Sequence, residues 1–492
     1  MNHFILKSPE EVVAELNARG FYPDCSALKL DTRELTAQDI LIAVPGKQFD
    51  PRRQAEQLIQ NGSCALVLAE CDKEVNYSLA QVISVKGLKS MLAEIACLYY
   101  GHPSAQLKVI AVTGTNGKTS VTRWLAQLLN HLNLKAGVIG TLGFGLPDQL
   151  KSCNTLTTPD SVSLQRMLYD MKREGFEWVC LEASSIGLEQ GRLNGVRVVA
   201  AIYTNLTQDH LDYHQTMLAY KKAKERLARF DGLECVVVNA DDQAAIEFAE
   251  IVREQGIRTV RVGRSSQADL KITDLQVDQQ GAYFNLGGQP IQSGLYGVFN
   301  VYNLALVLSI LQELKIASSQ KIASISAQVT PPPGRMQIVY RQPVVIVDYA
   351  HTPDALRQVL ESLSFSLGRH QSKLRVVFGC GGDREKQKRP LMAAVAAELA
   401  DFVYLTSDNP RSENPQTIIQ EMLAGIAENK RNQVYVEANR DAAIRLCLSQ
   451  SGQHDVVVLA GKGHEEYQLV QGQLIPHSDA KSVAHFFQQE AS

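Results

Sequence analysis

The chain has 492 residues, which is too long for one hydrophobic core and predicts about three domains. Hydrophobic residues make up 45% of it and charged residues 21%, as in ordinary globular proteins. The 49 Lys and Arg residues nearly balance the 52 Asp and Glu residues, so the formal net charge is only -3. This balance argues against a surface built to bind nucleic acid or an anionic membrane.

The cysteine pattern and the first residues indicate the compartment. Nine cysteines are scattered without a CxxC pair or zinc-ligand spacing, which is typical of reduced thiols in the cytoplasm. Residues 1–20 mix charged and apolar side chains at helical spacing, so they do not read as a signal peptide. No apolar run approaches ~18 residues, so we expect no membrane insertion. The sequence therefore predicts a cytoplasmic protein.

Residues 1–86 alternate short apolar runs with helical segments, which predicts a small α/β domain. The polar turns Asp31-Thr32-Arg33 and residues 46–50 could bind a ligand or cap neighbouring elements, and unaided we favour capping. An amphipathic helix is predicted over residues 88–100. His102-Pro103-Ser104 is interpreted as a linker.

Apolar strands then alternate with helices, which predicts a mostly parallel sheet covered on both faces. Pro331-Pro332-Pro333-Gly334 is the strongest break, and the same alternation restarts beyond it. Before the break the predicted strands cover residues 109–112, 136–139, 178–181, 198–202 and 235–238. After it they cover residues 344–347, 375–378, 402–405 and 456–459.

The clearest motif is the turn Gly114-Thr115-Asn116-Gly117-Lys118-Thr119-Ser120, between an apolar run and a helix predicted over residues 121–132. Backbone N–H groups and a helix N-terminus would there surround a phosphate. Lys118 would reach the terminal phosphates and the Thr119 hydroxyl would bind Mg²⁺. Val112 replaces the first glycine of the general pattern, and such turns also occur without phosphate. The loop alone therefore favours nucleotide binding without proving it.

Two later strand ends carry further polar groups. Glu182 follows a strand and suits Mg²⁺ beside a phosphate loop, the alternative being an exposed strand-end glutamate. Asp209-His210-Leu211-Asp212-Tyr213-His214 suggests a second metal position or acid–base groups, although each histidine alone is more often structural. Zinc is disfavoured, because no cysteine or HExxH pattern accompanies these residues.

A helix predicted over residues 216–230 carries Met217, Tyr220, Lys224 and Leu227 at helical spacing on one face. This spacing aims Lys224 inward, and a semi-buried lysine loses its charge easily. A neutral amine could react with CO₂ to form a carbamate that binds Mg²⁺. Spacing alone does not establish that reaction, since lysines usually extend to solvent.

Polar residues also follow each strand of the second half, where ligands bind in open α/β sheets. Arg384 and Arg411, the latter beside Asn409, suit carboxylates, while Glu465, next to His464, suits an ammonium group. Together they could hold an amino acid. A solvated salt-bridge surface is the alternative, with equal weight.

In order along essentially the whole chain, these motifs resemble those of the Mur ligases. The resemblance lies in residues 113–119, 182–185, 205–214, 333–336, 348–353 and 461–465. Asp408-Asn409-Pro410-Arg411 is similar to the signature of members that add meso-diaminopimelate. Lysine-adding members lack this arginine, which would grip the distal carboxylate that lysine does not have.

The resemblance implies an α/β protein of three domains. Residues 1–87 would bind the UDP substrate, residues 88–334 would form a P-loop ATPase domain with a mostly parallel sheet, and residues 335–492 a Rossmann-like amino-acid domain. The implied activity is that of an ADP-forming acid–amino-acid ligase of peptidoglycan precursor synthesis, requiring Mg²⁺. Its substrates would be ATP, meso-diaminopimelate and a UDP-N-acetylmuramoyl-dipeptide, and we expect a monomer that binds no nucleic acid.

The resemblance also implies roles for individual residues. Lys118, Glu182, His210 and Lys224 would be catalytic, with Thr119, Glu182, His210 and a CO₂-carbamylated Lys224 holding Mg²⁺. ATP would contact Gly114, Thr115, Asn116, Gly117, Lys118, Thr119, Ser120, Asn303, Arg335, Asp348 and His351. The UDP substrate would contact Leu30, Thr32, Lys47, Gln48, Phe49, Thr157, Thr158, Ser184, Gln190 and Arg192. Diaminopimelate would contact Arg384, Asp408, Asn409, Pro410, Arg411, Gly461 and Glu465.

One residue departs from the family pattern, and some alternatives stay open. Ile186 stands where the family often has histidine, so any role of that histidine is lost or displaced. The acceptor amino acid could instead be L-lysine, or the activity that of a folylpolyglutamate synthetase. From another class, the chain could be a regulatory P-loop module.

Overall fold

A computed structural model describes residues 5–46, 49–71, 77–151, 156–278, 281–366 and 372–490. It contains three successive α/β units, each built around its own sheet. Within these ranges, no helix combines the length and the apolar character needed to cross a bilayer.

The N-terminal unit is a four-stranded parallel sheet in the order β1-β2-β3-β4. Its two central strands are almost wholly apolar and buried, because helices cover the sheet. The elements are α1 (Pro9–Ala18), β1 (Leu28–Lys29), β2 (Ile40–Ala43), α2 (Ala55–Gln60), β3 (Leu66–Glu70) and β4 (Val82–Val85).

Both polar turns of this unit contain caps, as we favoured. Asp31 accepts a hydrogen bond from the Arg33 backbone N–H at 2.9 Å, where a 3₁₀ turn begins. Asp50 does the same for Arg52 at 3.1 Å, at the start of a second 3₁₀ turn. These side chains satisfy N–H groups that a helical start leaves free.

Helix α3 (Leu88–Tyr99) packs on the N-terminal sheet. Leu88, Ile95 and Tyr99 lie in the same apolar core as the strands, and Val162 of the next unit joins it. The helix that follows residue 87 therefore completes the core of the unit that precedes it. The domain boundary at residue 87 stays a prediction.

The interpretation of His102-Pro103-Ser104 as a linker is wrong. Pro103 and Ser104 are buried in a 3₁₀ turn, and the Ser104 hydroxyl accepts a hydrogen bond from the Arg197 backbone N–H at 3.0 Å. This segment is a packed connection, because the Ser104 hydroxyl also donates to the Gly195 carbonyl oxygen of the central unit at 3.3 Å.

The central unit is an eleven-stranded sheet in the order β15-β14-β13-β12-β11-β10-β5-β9-β6-β7-β8. Its strands are β5 (Lys108–Thr113), β6 (Ala136–Gly140), β7 (Gly143–Leu146), β8 (Gln149–Lys151), β9 (Trp178–Glu182), β10 (Ala200–Tyr203), β11 (Cys235–Asn239), β12 (Arg258–Gly263), β13 (Leu270–Asp278), β14 (Gly281–Leu286) and β15 (Gln289–Ser293). Its helices are α4 (Lys118–His131), α5 (Ser161–Arg173), α6 (Ser185–Glu189), α7 (Leu211–His214), α8 (Met217–Glu225), α9 (Gln243–Glu254), α10 (Val298–Glu313) and α11 (Ser319–Ile325).

The seven neighbouring strands β13-β12-β11-β10-β5-β9-β6, given in their order across the sheet, are parallel, as predicted. They lie between two helical layers. Along β5, Ile110 and Val112 face one apolar core while Val109 and Ala111 face the other. This alternation is the two-residue period of a strand buried on both sides. Both sheet edges are antiparallel hairpins that the sequence reading did not predict.

The C-terminal unit is a six-stranded sheet in the order β16-β17-β21-β18-β19-β20, antiparallel only at β16. A separate two-stranded hairpin, β22–β23, follows β21. The strands are β16 (Gln337–Arg341), β17 (Val344–Asp348), β18 (Leu374–Phe378), β19 (Phe402–Leu405), β20 (Val434–Val436), β21 (Val456–Ala460), β22 (Tyr467–Val470) and β23 (Gln473–Pro476). The helices are α12 (Pro353–Ser366), α13 (Lys388–Leu399), α14 (Pro415–Leu423), α15 (Arg440–Ser449) and α16 (Asp479–Glu490).

Candidate active site

The glycine-punctuated loop joins β5 to α4 and lies in a close-packed cradle. Gly114 has φ 144° and Gly117 has φ 87°, values that favour glycine. A Cβ atom on Gly114 would collide with Thr204 Oγ1, and one on Gly117 would lie 2.6 Å from Asn303 Oδ1. The loop therefore needs glycine at both positions, and Asn303 of α10 contacts it directly.

Lys118 folds back over this loop. Its Nζ donates hydrogen bonds to the carbonyl oxygens of Gly114 and Thr115, each at 2.9 Å. Burial lowers the pKa of Lys118, and the nearby carboxylate of Glu182 opposes that effect. The ammonium group is thus held by carbonyl oxygens at the helix N-terminus, where anions bind.

Glu182 ends β9, next to β5, and only 2% of it is exposed. Its Oε2 accepts hydrogen bonds from the hydroxyls of Thr119 and Thr141, both at 3.1 Å. Its Oε1 accepts one from the Thr141 backbone N–H at 3.1 Å. Burial raises the pKa of Glu182, while Lys118 lowers it. The sequence reading missed Thr141, although its place directly after β6 is a strand-end signal.

The oxygen donors of Glu182 and Thr119 fit a hard cation such as Mg²⁺ beside a phosphate. Across the described residues, no cluster of three or more His, Cys, Asp or Glu side chains could hold a metal ion. One protein carboxylate with a hydroxyl is the set expected where substrate phosphates supply further ligands.

Lys224 of α8 is 1% exposed and aims inward, as the sequence predicted. Its Nζ donates to the Gly114 carbonyl oxygen at 2.8 Å and lies 4.5 Å from the centroid of the Tyr220 ring. Burial, reinforced by the charge of Lys118, places the pKa of Lys224 well below its ordinary value. A lysine in this environment is readily neutral.

The helical pattern around Lys224 is correct for Tyr220 and Leu227 but wrong for Met217, which is 36% exposed. Met217 lies in the first turn of α8, which begins at the surface after α7. The helix is also shorter than predicted, because the α-helix ends at Glu225 and a 3₁₀ turn follows.

Asp209 and His210 lie where the central unit faces the C-terminal unit. The His210 Nε2 atom is 3.5 Å from Asp209 Oδ2, and burial lowers the pKa of His210. Burial raises the pKa of Asp209, but His210, His351, the His210 backbone N–H and Lys118 together hold that pKa below its ordinary value. Asp209 therefore brings a negative charge to the site, which is compatible with the metal or acid–base role that the sequence suggested for this stretch.

His214 has a different environment from His210. It is buried, with Nε2 at 2.9 Å from Ser185 Oγ and Nδ1 at 3.1 Å from Glu189 Oε2. It fits the structural role that is usual for a single histidine. Ile186, which stands where the family often has histidine, is half-buried in α6.

A cavity of 680 Å³ opens above the loop, between the central and C-terminal units. Its apolar part includes Phe299 and Tyr302, and Asp241 and Arg264 also line it, all four missed by the sequence reading. The predicted ATP residues that line it are Asn116, Gly117, Ser120, Asn303, Arg335, Asp348 and His351. Of the others, Gly114 and Thr115 lie in the adjoining loop, and Lys118 and Thr119 begin α4.

Asp348 is fully engaged by backbone groups. Its two oxygens accept hydrogen bonds from the N–H groups of Met336 and Ala350, each at 2.8 Å. Arg335 places its guanidinium 4.3 Å from the centroid of the Tyr349 ring, and its Nε is buried without a hydrogen-bond partner in the described structure. Asp348 thus orders this segment, while Arg335 keeps donor capacity at the cavity.

A second cavity, of 340 Å³, lies beside the first. Tyr349 and His351 line both, so the two spaces share a wall. Asp209 and His210 line the second cavity from the central unit. From the C-terminal unit it is lined by all the predicted diaminopimelate residues except Pro410, namely Arg384, Asp408, Asn409, Arg411, Gly461 and Glu465.

The charges in this second cavity are unevenly partnered. Arg411 Nη1 donates only to backbone oxygens, that of Gly382 at 2.8 Å and that of Asn409 at 3.5 Å. In the described ranges neither Arg411 nor Arg384 has an ion-pair partner, and the buried Asp408 Oδ2 accepts no hydrogen bond. The salt-bridge-surface alternative therefore does not describe the arginines.

The predicted dipeptide-side residues form one network on the other side of Glu182. Arg192 donates to the Thr158 carbonyl oxygen and to Gln190 Oε1, both at 2.7 Å. The hydroxyls of Thr158 and Ser184 are 2.9 Å apart. The Thr158 hydroxyl donates to the Glu182 carbonyl oxygen at 2.7 Å, so this network reaches Glu182. The Thr157 hydroxyl lies 3.1 Å from that of Thr141, which is also next to Glu182.

The predicted UDP-side residues lie in the N-terminal unit. Leu30 is half-buried, Thr32 begins a 3₁₀ turn, and Phe49 is 49% exposed. Among the described residues, no hydrogen bond or ion pair joins these three to the phosphate loop. Lys47 and Gln48 lie outside the described residues.

Comparison with known proteins agrees with this architecture. A family model described as the Mur ligase middle domain matches residues 112–311. Another, described as the Mur ligase, glutamate ligase domain, matches residues 334–463. A relative from Acidovorax sp. (strain JS42), named UDP-N-acetylmuramoyl-L-alanyl-D-glutamate--2,6-diaminopimelate ligase, is 41% identical over 92% of each chain.

Solved structures share the whole fold. One ligase of that same name is 35% identical, covers 95% of each chain and has a TM-score of 0.66. MurF ligase from Thermotoga maritima, solved in complex with ADP, has a TM-score of 0.66 over 95% of this chain and 98% of its own. At 17% identity that structure shows the fold alone. The matched domains and the full-length relatives establish that the chain belongs to the Mur ligase family.

Proposed function

We propose that this enzyme adds meso-2,6-diaminopimelate to UDP-N-acetylmuramoyl-L-alanyl-D-glutamate, with cleavage of ATP to ADP and phosphate. The observation that carries the proposal is the pair of cavities that share Tyr349 and His351. One adjoins the phosphate loop. The other holds Arg384 and Arg411, which have no ion-pair partner among the described residues, beside acidic groups. The names of the relatives at about 40% identity support this acceptor.

In the first step the terminal carboxylate of the dipeptide attacks the γ-phosphorus of ATP. A carboxylate oxygen–phosphorus bond forms, the bond to the β-phosphate oxygen breaks, and ADP leaves. The Lys118 ammonium, held at the loop by two carbonyl oxygens, would neutralise the charge on the transferring phosphoryl group. The Thr157, Thr158 and Arg192 network would orient the dipeptide.

Thr119 and Glu182 would hold one Mg²⁺, and His210 with a carbamylated Lys224 a second. The ions would supply charge neutralisation for the phosphoryl group and its acyl-phosphate product. The buried, readily neutral Lys224 supports carbamylation, because only an uncharged amine reacts with CO₂. Its carbon–nitrogen bond forms as the amine loses a proton.

In the second step the amine of diaminopimelate attacks the acyl carbon. The carbon–nitrogen bond forms, the bond to phosphate breaks, and the amine loses a proton. Arg384 and Arg411 would grip carboxylates, while Asp408 and Glu465 would accept hydrogen bonds from ammonium groups. Closing the C-terminal unit over the central one would exclude water, which destroys acyl-phosphates.

The remaining assignments belong to the same proposal. Residues 1–87 would bind the UDP end of the substrate, with Leu30, Thr32 and residues 47–49 in contact. Residues 88–334 and 335–492 would form the ATP-binding and amino-acid-binding domains. The enzyme would act as a cytoplasmic monomer.

The deciding experiment is phosphate release from ATP with the UDP-dipeptide and one amino acid at a time. We expect release with meso-diaminopimelate and only background release with L-lysine or L-glutamate. Preference for lysine would reassign the acceptor. Glutamate-dependent release with a folate acceptor would favour a folylpolyglutamate synthetase. ATPase activity that does not depend on an amino acid would favour a regulatory module.

Replacing Arg411 by alanine should raise the KM for diaminopimelate about 100-fold, because a charge-assisted contact to the distal carboxylate is lost. The KM for ATP should change less than twofold, since Arg411 does not line the ATP cavity. Steady-state kinetics with each substrate varied separately measure both values. Arg445→Ala, an exposed arginine on α15, is the control. Equal shifts in both KM values would contradict the selectivity role.

A further inference from the structure

We propose that strand β22 is the template for the selectivity segment, defined here as residues 408–411, with Gln468 and Lys462 as positioning residues. Neither residue lines the amino-acid cavity. This inference rests on the proposed function, because the segment is taken to contact the incoming amino acid.

The backbone of β22 holds the segment at its far end. The Arg411 N–H donates to the Leu469 carbonyl oxygen at 2.9 Å, and the Gln471 N–H donates to the Arg411 carbonyl oxygen at 2.7 Å. The Leu469 N–H donates to Asn409 Oδ1 at 2.9 Å. Both Arg411 and Asn409 are thus fixed by a strand that lies about 60 residues later in the sequence.

Gln468 holds the near end of the segment. Its Nε2 donates to the carbonyl oxygen of Asp408 at 2.8 Å and to that of Ser407 at 3.3 Å. Gln468 is half-buried, so its side chain can be changed without opening a core.

Lys462 fixes the orientation of the Asn409 and Glu465 side chains. It is 0% exposed, and its Nζ donates to Glu465 Oε2 at 2.6 Å and Asn409 Oδ1 at 3.0 Å. Asn409 Nδ2 donates to the same Glu465 oxygen at 2.8 Å. The Asn409 amide and one Glu465 oxygen are therefore occupied within the protein. This arrangement leaves Glu465 Oε1 as the acceptor for substrate.

The segment needs such support because of its backbone. Arg411 has φ 51°, in the left-handed region that side chains other than glycine, Asn and Asp seldom adopt. Two backbone hydrogen bonds hold it there, one to Leu469 of β22 and one from Gln471, the residue directly after that strand. The other strand of the hairpin, β23, pairs with β22 and is exposed along its whole length. The hairpin therefore contributes through β22.

A displaced segment should affect the amino acid and leave ATP binding intact, since residues 408–411 and 462–468 do not line the ATP cavity. Gln468→Leu should raise the KM for diaminopimelate about tenfold through loss of two neutral hydrogen bonds. The KM for ATP should stay within twofold. Gln473→Leu, an exposed glutamine on β23, is the matched control and should change neither value.

Hydrogen exchange of the peptide containing residues 408–411 provides a readout that needs no activity. We expect its amides to exchange faster in Gln468→Leu than in Gln473→Leu. Lys462→Met should raise the KM for diaminopimelate further, about 100-fold, because it leaves the half-buried Glu465 carboxylate without its cation and the Asn409 amide oxygen without that donor. If Lys462→Met does not fold, the comparison of Gln468→Leu with Gln473→Leu tests the proposal by itself.

Unchanged exchange in Gln468→Leu, or equal shifts of both KM values, would overturn the template role. Failure of the proposed function looks different. In that case the unaltered enzyme would release no phosphate with diaminopimelate, while the exchange difference between the two glutamine variants would still be measured.

Discussion

Replacing Lys224 by alanine should reduce kcat about 100-fold or more, and short carboxylates such as acetate should restore part of the activity. The amine lies at the phosphate loop, 2.8 Å from the Gly114 carbonyl oxygen, and is almost completely buried. Its lowered pKa keeps the neutral form populated at pH values where an ordinary lysine is charged, because a lysine is neutral above its pKa. A carbamate would place an anionic oxygen ligand there, which a bound carboxylate can imitate.

The measurement is phosphate release with and without added carboxylate, together with a bicarbonate dependence of the unaltered enzyme. Lys222→Ala, an exposed lysine on the same helix, is the matched control and should keep full activity. Full activity of Lys224→Ala without any carboxylate would exclude the carbamate role.

Replacing Lys118 by methionine should lower kcat about 1,000-fold, because it removes the loop cation proposed to neutralise the transferring phosphoryl group. Methionine keeps most of the side-chain volume, so the fold should persist. The loop itself is held by other contacts, including the Thr115 N–H to the Asn205 carbonyl oxygen at 2.8 Å. Kinetics at saturating ATP and a thermal melt would check both expectations. Lys321→Met, on the exposed face of α11, serves as control, and a loss smaller than tenfold for Lys118→Met would contradict the assignment.

Much of the fold was predictable because its parallel strands are continuous apolar runs and each ends in polar residues. Glu182 and the phosphate loop come together because β5 and β9 are neighbours, which strand-end logic anticipates. Lys224 was predicted to aim inward from helical spacing alone, and its burial confirms that. Met217 shows the limit of the same argument, because periodicity does not show where a helix first reaches the core.

The residues that were missed depend on strand order or on distant segments. Thr141 contacts Glu182 only because β6 lies beside β9, and strand order cannot be read from one sequence. Lys462 was quoted within a motif but assigned no role, because its partner Asn409 lies 53 residues earlier. The antiparallel strands β14 and β15 alternate buried and more exposed residues, but the sequence reading did not recognise them as strands because they are short and rich in polar residues.

Helix α3 changes what the domain boundary at residue 87 means. Its Leu88, Ile95 and Tyr99 complete the N-terminal core, and the Tyr100 hydroxyl accepts a hydrogen bond from the Leu28 N–H at 3.0 Å. A chain shortened to begin at residue 88 would expose that apolar face of α3 to water. The separate piece ending at residue 87 would lack the part of its core that α3 supplies. The first two units therefore share an apolar core, and neither is an autonomous folding module.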